Sequence, residues 1–549
     1  MYTQMNHLLV LLTLITSVLT ATVDLTTKNR RPPIPGLPDW SKVGYEQGKA
    51  LPGNNKIRVI PNDGIDDTDG LQRAIKENPG SHNSFTLIQL PTGTINLSYT
   101  IYFGSNYIIL RGAGNDPSAG TVISFSPDDN TKYDVLTPNG DNIKGYMADQ
   151  TKDIAGYAGT RKIYVDAQNA SWTVGRSPGF DVWVGTDAEG VFINVDHDLA
   201  WNVYSTSVSG NAEPIQNTTT YTKIVPIQAA HHIGIEDLYM TQPMPGLSAE
   251  QAAGDYGNLA PESAMHGIVF RFAKHCWVKN IRTFMTGSHP IATEGARYLQ
   301  IQDNHFEGSW NKGAGGNGYL RGSRVWDSLF YNNTLRDLRH FSFQWSAMRN
   351  VATFQNLTCD INLHGGYESY NLMELNYVSV PYNHRSASCS TRCGGDEGVD
   401  PTGTWAPIYW SAGDKASKWA GASGPQNVFF RNYMAKAFTP NGTLEEYFPY
   451  SASNRSTANK IWQFGWDRIT KLGSHYQHLS LDGGVTLLRN WSGNERQTYD
   501  KGAGVGVNGQ RSDGQMSLFF RDVKKALGGH GGHHHHDHGH GKKKGHGHH

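Results

Sequence analysis

The chain has 549 residues and balances 48 Lys+Arg against 48 Asp+Glu, so its formal net charge is zero. That balance removes the general electrostatic argument for a nucleic-acid partner, which needs an excess of phosphate-neutralising charge. Hydrophobic residues make up 38% and glycine occupies 62 positions, which suits many short strands joined by turns better than a helical protein.

Residues 1–21 (MYTQMNHLLVLLTLITSVLTA) hold an apolar run from Leu8 to Leu19 closed by small residues. The run is too short to span a bilayer and fits a secretory leader; a buried N-terminal strand is the alternative. No other stretch approaches about 18 apolar residues, so no membrane span is expected and the protein is expected to be secreted. Triplets N-x-[ST] at Asn96, Asn169, Asn217, Asn332, Asn356, Asn441, Asn454 and Asn490 agree with an exported glycoprotein.

Residues 22–56 are Pro-rich and aperiodic, an extended lead-in. From residue 57 a short strand, an Asp/Gly turn and a helix follow, with Thr68 or Asp69 as cap and Leu71, Ala74 and Ile75 as the apolar face. Strands and turns alternate to about residue 132. Residues 133–227 break the pattern and read as an inserted β module, while 228–382 hold the core. Within it, strips such as HGIVFRFAKHCWVKNIRTFM, ARYLQIQDNHFEG and SRVWDSLFYNNTLRDL are β-rich runs ending near an Asn. Asn280, Asn304, Asn333, Asn356 and Asn376 are separated by 24, 29, 23 and 20 residues. A unit of that size, rich in β-branched and aromatic residues, predicts an all-β solenoid in which each unit buries its apolar face on its neighbours.

Residues 383–511 read as further strands and loops. Residues 512–529 read as a helix capped by Ser512 or Asp513, with Met516, Phe519, Phe520, Val523 and Leu527 on one face. Residues 530–549 form a disordered His-rich tail holding ten of the 24 histidines. Its His533, His534, His535, His536, His538 and His540 are candidate ligands for Zn, Cu or Ni, unless the tail is a purification tag. Cys389 and Cys393 can close a small disulfide. Cys276 and Cys359 lie on strips with two others between them, roughly 14 Å apart at ~4.8 Å per strand, and are expected to be free buried thiols.

The segments Asp63-Gly64-Ile65-Asp66-Asp67-Thr68, Leu71-Gln72 with Ala74-Ile75, Leu90-Pro91-Thr92-Gly93-Thr94 and Ile109-Leu110-Arg111-Gly112-Ala113-Gly114 follow in order over about sixty residues. This stretch resembles the opening of pectate-lyase superfamily proteins. The resemblance implies a right-handed parallel β-helix (a pectin-lyase-like solenoid) whose N-terminal helix caps the first unpaired edge. It implies no single activity, since lyases, hydrolases, epimerases and phage tailspikes share the fold. Neither the motif set of the pectin hydrolases nor the Arg-x-Pro-x-x-Arg of pectate lyases occurs here, so no catalytic residue is carried over.

Groups on successive turns of such a fold converge at ~4.8 Å spacing. The turns carry His289 and Glu294, Tyr319 and Arg321, Arg339, His340, Gln344 and Trp345, and His364 and Glu368. β-Elimination on a uronate needs a cation for the carboxylate, a base for the C5 proton and an acid for the leaving oxygen. Arg321 or Arg339, or a bound Ca²⁺, can be the cation, and His340, His364 or Tyr319 can move protons. Glycoside hydrolysis needs two carboxylates, for which Asp360, Glu368 and Glu294 are available. We therefore expect Arg321, Arg339, His340, His364 and Glu368 as catalytic candidates, and His289, Glu294, Tyr319, Gln344 and Trp345 as substrate contacts. The expected partner is a polysaccharide. The alternative is a non-catalytic extracellular matrix or adhesive protein that binds divalent metal through its tail.

Overall fold

The computed structural model describes residues 23–34, 37–53, 65–126, 229–258, 265–313, 317–345, 347–365, 368–384, 405–410, 423–424, 426–447 and 517–523. It also describes backbone strands at 56–59, 134–138, 162–164, 175–176, 182–187, 190–195 and 462–464. Residues 1–21, expected as a leader, Cys389 and Cys393, expected as a disulfide, and His533–His540, expected as metal ligands, lie outside these residues.

The architecture is all-β, with stacked parallel strands and few helices. Three long sheets, here I, II and III, receive one strand each in turn as the chain advances. One round runs Trp277–Lys279, Arg282–Thr286 and Ile291–Arg297; the next runs Gln300–Gln302, His305–Ser309 and Tyr319–Ser323. Like strands pair in parallel, so Leu329, Val351, Leu372 and Val428 stand in one row of sheet I. The strands Leu444–Glu446 and Trp462–Phe464 reverse and pair antiparallel.

Passages from sheet I to sheet II turn on a left-handed residue: Asp237, Asn280, Asp303 and Asn332 have φ of 54, 55, 57 and 50°, and Phe354, Leu375 and Arg431 take the same place at 57, 56 and 54°. Asn and Asp tolerate that region better than other side chains, which is why an Asn recurs there. The following residue points into the corner: Leu238 and Ile281 join the apolar core, and from Asn304 onward these residues form a buried amide ladder. Asn304 donates Nδ2–H to Asn333 Oδ1 at 2.9 Å, Asn333 to Gln355 Oε1 at 3.1 Å, and Asn376 to Asn432 Oδ1 at 2.9 Å. Of the five asparagines marked by spacing, Asn304, Asn333 and Asn376 are in the ladder. Asn280 is the turn residue and bonds Asp237, while Asn356 is exposed with Gln355 in its ladder place. Asn333→Ala is expected to cost about 1–3 kcal/mol for each buried partner it orphans, read from urea unfolding.

Helix Thr68–Glu77 buries Leu71 and Ile75 in the core with Ile95, Leu97, Ile101 and Phe103. Its first amides are served by Asp66, whose Oδ1 accepts from Thr68 N at 3.0 Å, rather than by Thr68 or Asp69. Strands 162–195 form a separate four-stranded antiparallel sheet, Lys162–Tyr164, Gly190–Val195, Val182–Asp187 and Gly175–Arg176 in order. Asp134–Pro138 belongs instead to sheet III, between Ile101–Phe103 and His266–Lys274, so the main stack runs into the stretch read as insertion.

Sheet I is apolar on both faces. Ile88, Leu110, Ile235, Val278, Ile301 and Phe330 line the shared core, whereas Leu87, Ile109, Trp277, Leu329 and Val351 lie opposite, under other segments. The lead-in is one of those covers: Trp40 Nε1 donates to Tyr370 O at 2.7 Å, Gly44 N to Asp327 O at 2.8 Å and Tyr45 N to Gln300 Oε1 at 3.3 Å. Residues 517–523 are the other, and here the expected helix is corrected. They are non-helical, with an antiparallel bridge between Arg30 and Phe520. The buried Glu374 carboxylate accepts from Leu518 N at 2.6 Å and from the Ser517 hydroxyl, and Leu518, Phe519 and Phe520 are all buried. Three consecutive apolar side chains need cover on every side, which a one-faced helix does not provide. Cys276 and Cys359 are free and buried, as expected.

Candidate active site

Leu320, Phe341, Phe343, Ile361 and Leu363 of sheet III point into the core, so the alternating residues project to the other face. Strand register sorts them into rows. Tyr319, His340 and Asp360 form one row; Arg321, Ser342, Asn362 and Tyr409 form the next; Ser323 and Gln344 stand in the third. This brings sequence candidates Tyr319, Arg321, His340 and Gln344 onto one sheet face, with Glu294 bonded to Arg321.

The first row ends in a buried triad. Asp360 Oδ1 lies 2.6 Å from His340 Nδ1 and 3.0 Å from His384 Nε2, while Asn362 Nδ2–H donates to Oδ2 at 2.9 Å. Arg339 Nε–H, a donor, lies 3.3 Å from His340 Nε2, which is therefore the acceptor, and Nδ1 carries the proton given to Asp360. Burial lowers the His340 value to about 4, outweighing the opposing pull of the Asp360 charge. Burial lowers His384 as well. Burial alone would raise Asp360, but both imidazoles, by their hydrogen bonds and by their charge when protonated, hold it well below the usual carboxylate range. At neutral pH this is an ionised carboxylate between two neutral imidazoles. The Trp405 ring meets His340 edge-on at 5.0 Å, and Tyr319 does so at 4.8 Å.

The three ligating atoms of His340, Asp360 and His384 lie within 4.8 Å of one another, the one such cluster of three among the described residues. A metal on His340 Nδ1 would put the proton on Nε2, directly opposite the Arg339 N–H. A hydrogen-bonded triad therefore fits these residues better than a metal centre. One carboxylate is also few for Ca²⁺, which takes about six to eight oxygens.

In the second row Ser342, Asn362 and Tyr409 are buried and only Arg321 is partly exposed. Arg321 is half-buried, 3.1 Å from Glu294 Oε1, and the Gln344 amide oxygen can accept from its Nε at 2.8 Å. Arg324 also holds Glu294, at 2.8 Å, and lies over the Trp345 ring at 5.3 Å. Two arginines on one carboxylate leave this corner net positive. Beside it, Ser342 Oγ and Asn362 Oδ1 are buried without a hydrogen-bond partner, a costly state unless something else satisfies them.

Other sequence candidates fall elsewhere. Arg339 points away from Arg321 and donates to the carbonyls of Lys312 at 3.2 Å and of Gly313. His289 is fully buried, stacks on His266 at 4.5 Å and accepts from Tyr319 N at 3.0 Å, a corner role. His364 is half-buried at the strand's end, its amide bonded to Phe343 O at 2.9 Å. Glu368 is buried and bonded to Ser423, and burial raises its carboxyl to about 8. Glu294 is tied to two arginines and Asp360 to two histidines, so no carboxylate pair is poised for hydrolysis among the described residues.

Sequence spacing gives Asp360 little weight and does not single out Ser342, Asn362 or His384. Asp360 and Asn362 sit 20 residues after His340 and Ser342, an offset within the repeat lengths already visible. His384 follows Asp360 by 24 residues, but it comes from the loop beyond Tyr377–Val380 and carries no strand pattern.

No protein-family model matches the chain, and no curated protein matches it. Among solved structures, the chain is similar to one described as Geobacillus virus E2 - ORF18, with 11% identity and a TM-score of 0.25, over 75% of this chain and 71% of that one. So distant a likeness informs neither fold nor function.

Proposed function

We propose that the protein is a secreted right-handed parallel β-helix of the pectate-lyase superfamily that cleaves an acidic polysaccharide by β-elimination on the outer face of sheet III. The observation that carries the reading is the row of Tyr319, His340 and Asp360 laid beside Arg321. Arg321 neutralises the uronate carboxylate and so acidifies the C5 proton. Once the Arg339 N–H that it accepts here is withdrawn, His340 Nε2 takes that proton, oriented by Asp360 behind it as a carboxylate orients a catalytic imidazole. The C4–oxygen bond breaks, Tyr319 gives its hydroxyl proton to the leaving oxygen, and a C4–C5 double bond remains. Ser342 and Asn362 receive sugar hydroxyls. His340 is 2% exposed, so the reading requires the cover over this row to open for substrate.

The purified chain is tested on a panel of uronate polysaccharides, following the ultraviolet absorbance of the unsaturated product. His340→Ala and Asp360→Asn are each expected to lower the rate by about 10²–10⁴-fold. No absorbance and no new reducing ends on any glycan would sink the enzyme reading.

A second reading rests on His533–His536, His538 and His540: a rigid extracellular matrix or adhesive protein cross-linked by Zn, Cu or Ni. It expects chelator-reversible aggregation that disappears when residues 530–549 are removed. Aggregation unchanged by that deletion counts against it.

A further inference from the structure

Four of the N-x-[ST] triplets fall on described residues, three within or at the end of sheet II and the fourth, Asn332, at the corner where sheet I passes into it. Asn96 lies in Gly93–Leu97 and Asn356 in Asn356–Leu357. Asn441 is in the turn joining Tyr433–Ala437 to Leu444–Glu446, and Asn332 is at the corner before Thr334–Arg336. Every one of those strands belongs to sheet II. Among the described residues, sheet I, under the lead-in, and sheet III, with its polar rows, carry none.

The four asparagines are not equivalent. Asn441 is exposed in a tight turn closed by Gly442 N to Thr439 O at 3.0 Å, and Thr443 beside it is exposed too. Asn356 is exposed on the sheet's outer face, between buried Gln355 and Leu357. Asn332 is half-buried in the left-handed region at φ 50°, and its Nδ2 donates to Asp303 Oδ1 at 2.8 Å. Asn96 is half-buried against the cap helix, its backbone amide held by Asp67 Oδ2 at 2.9 Å. A bulky glycan is compatible with the first two positions. At Asn332 it would break the Asp303 bond, and at Asn96 it would crowd the start of the cap helix.

We infer that Asn356 and Asn441 are N-glycosylation sites and that sheet II is the glycan-bearing face of the protein. The donor is an oligosaccharide on a lipid diphosphate. The asparagine Nδ2 bonds to its anomeric carbon and loses a proton, and the lipid diphosphate departs as leaving group. Two hydrophilic glycans would cover this flat outer surface and leave the polar rows of sheet III open. The inference rests on the export part of the proposed function, not on the elimination chemistry.

The full chain is expressed in a eukaryotic secretory host behind its own leader and, in parallel, behind a heterologous one. Peptide mapping after endoglycosidase treatment in ¹⁸O water is expected to mark Asn356 and Asn441, with Asn332 and Asn96 unmarked or sparsely marked. Asn356→Gln and Asn441→Gln each remove one glycan increment, and Thr358→Ala and Thr443→Ala do the same while keeping the asparagine. Glycans at both sites behind the heterologous leader alone would uphold the assignment and overturn the export reading instead. A chain exported behind either leader with Asn356 and Asn441 unmodified, or with Asn332 modified in their place, overturns the inference.

Discussion

Stability is expected to fall steeply as the pH drops from about 6.5 to about 4, because folding buries histidines in their neutral form. Burial lowers His231 and His340 to about 4 and His266 and His275 to about 3. Burial also lowers His232, His289 and His384. In the unfolded chain these imidazoles titrate near 6.5. Below that pH the unfolded state binds protons that the folded state refuses, so stability is present above about 6.5 and is lost toward the folded values. Fully buried His340 alone accounts for about 3 kcal/mol by pH 4. Several such groups together match the whole stability of an ordinary protein, about 5–15 kcal/mol. Buried Glu368 and Glu374, raised to about 8 and about 7, have the opposite sign and lose their contribution as pH rises through those values. Two carboxyls do not offset seven imidazoles in the acid window. Urea midpoints followed by tryptophan fluorescence from pH 7 to pH 4.5 should show the drop, with a chain lacking residues 530–549 as control for the tail. A flat profile would mean that these histidines are hydrated in solution.

Trp40→Ala is the second large effect. The ring is buried with Leu329, Val351, Leu372, Val428, Phe519 and Phe520 in the layer outside sheet I. Its indole also satisfies Tyr370 O at 2.7 Å. Truncating a buried aromatic of this kind costs about 3–5 kcal/mol. Here the loss would also loosen the lead-in from a sheet whose outer face is apolar. Increased binding of a hydrophobic dye below the unfolding transition is expected alongside the lower urea midpoint. A midpoint within about 0.5 kcal/mol of the parent would show that the lead-in is a passive cover.

Much of the fold was readable because stacked strands impose local rules. Each unit must turn at its corners, and Asp303 and Asn332 mark those turns; the residue after each must satisfy a buried corner, as Asn304 and Asn333 do. Spacing alone does not separate those two adjacent roles, so Asn280 and Asn356 share one period with Asn304, Asn333 and Asn376. The C-terminal segment was misread for a related reason. Phe519, Phe520 and Val523 have helical spacing, but the segment is sandwiched between the lead-in and sheet I, and Glu374 takes up its amides.

The site was legible as a region and not as a constellation. Arg339 and His340 are neighbours in sequence, yet one reaches the Lys312 and Gly313 carbonyls and the other reaches Asp360. His384 follows Asp360 by 24 residues, within the range of the repeat, but it stands on a loop and in no strand of the row, so strand periodicity does not mark it. The amino-acid sequence by itself determined the repeating β architecture, the glycine- and asparagine-bearing turns and the stretch in which titratable groups gather, because these follow from propensity and the side-chain alternation of strands. Only the tertiary structure decided which groups touch. Register offsets in sheet III include 20 residues between His340 and Asp360, 29 between Ala292 and Arg321, and 47 between Ile361 and Ile408. Loop length sets each offset, and a shift of one residue turns every side chain to the other face.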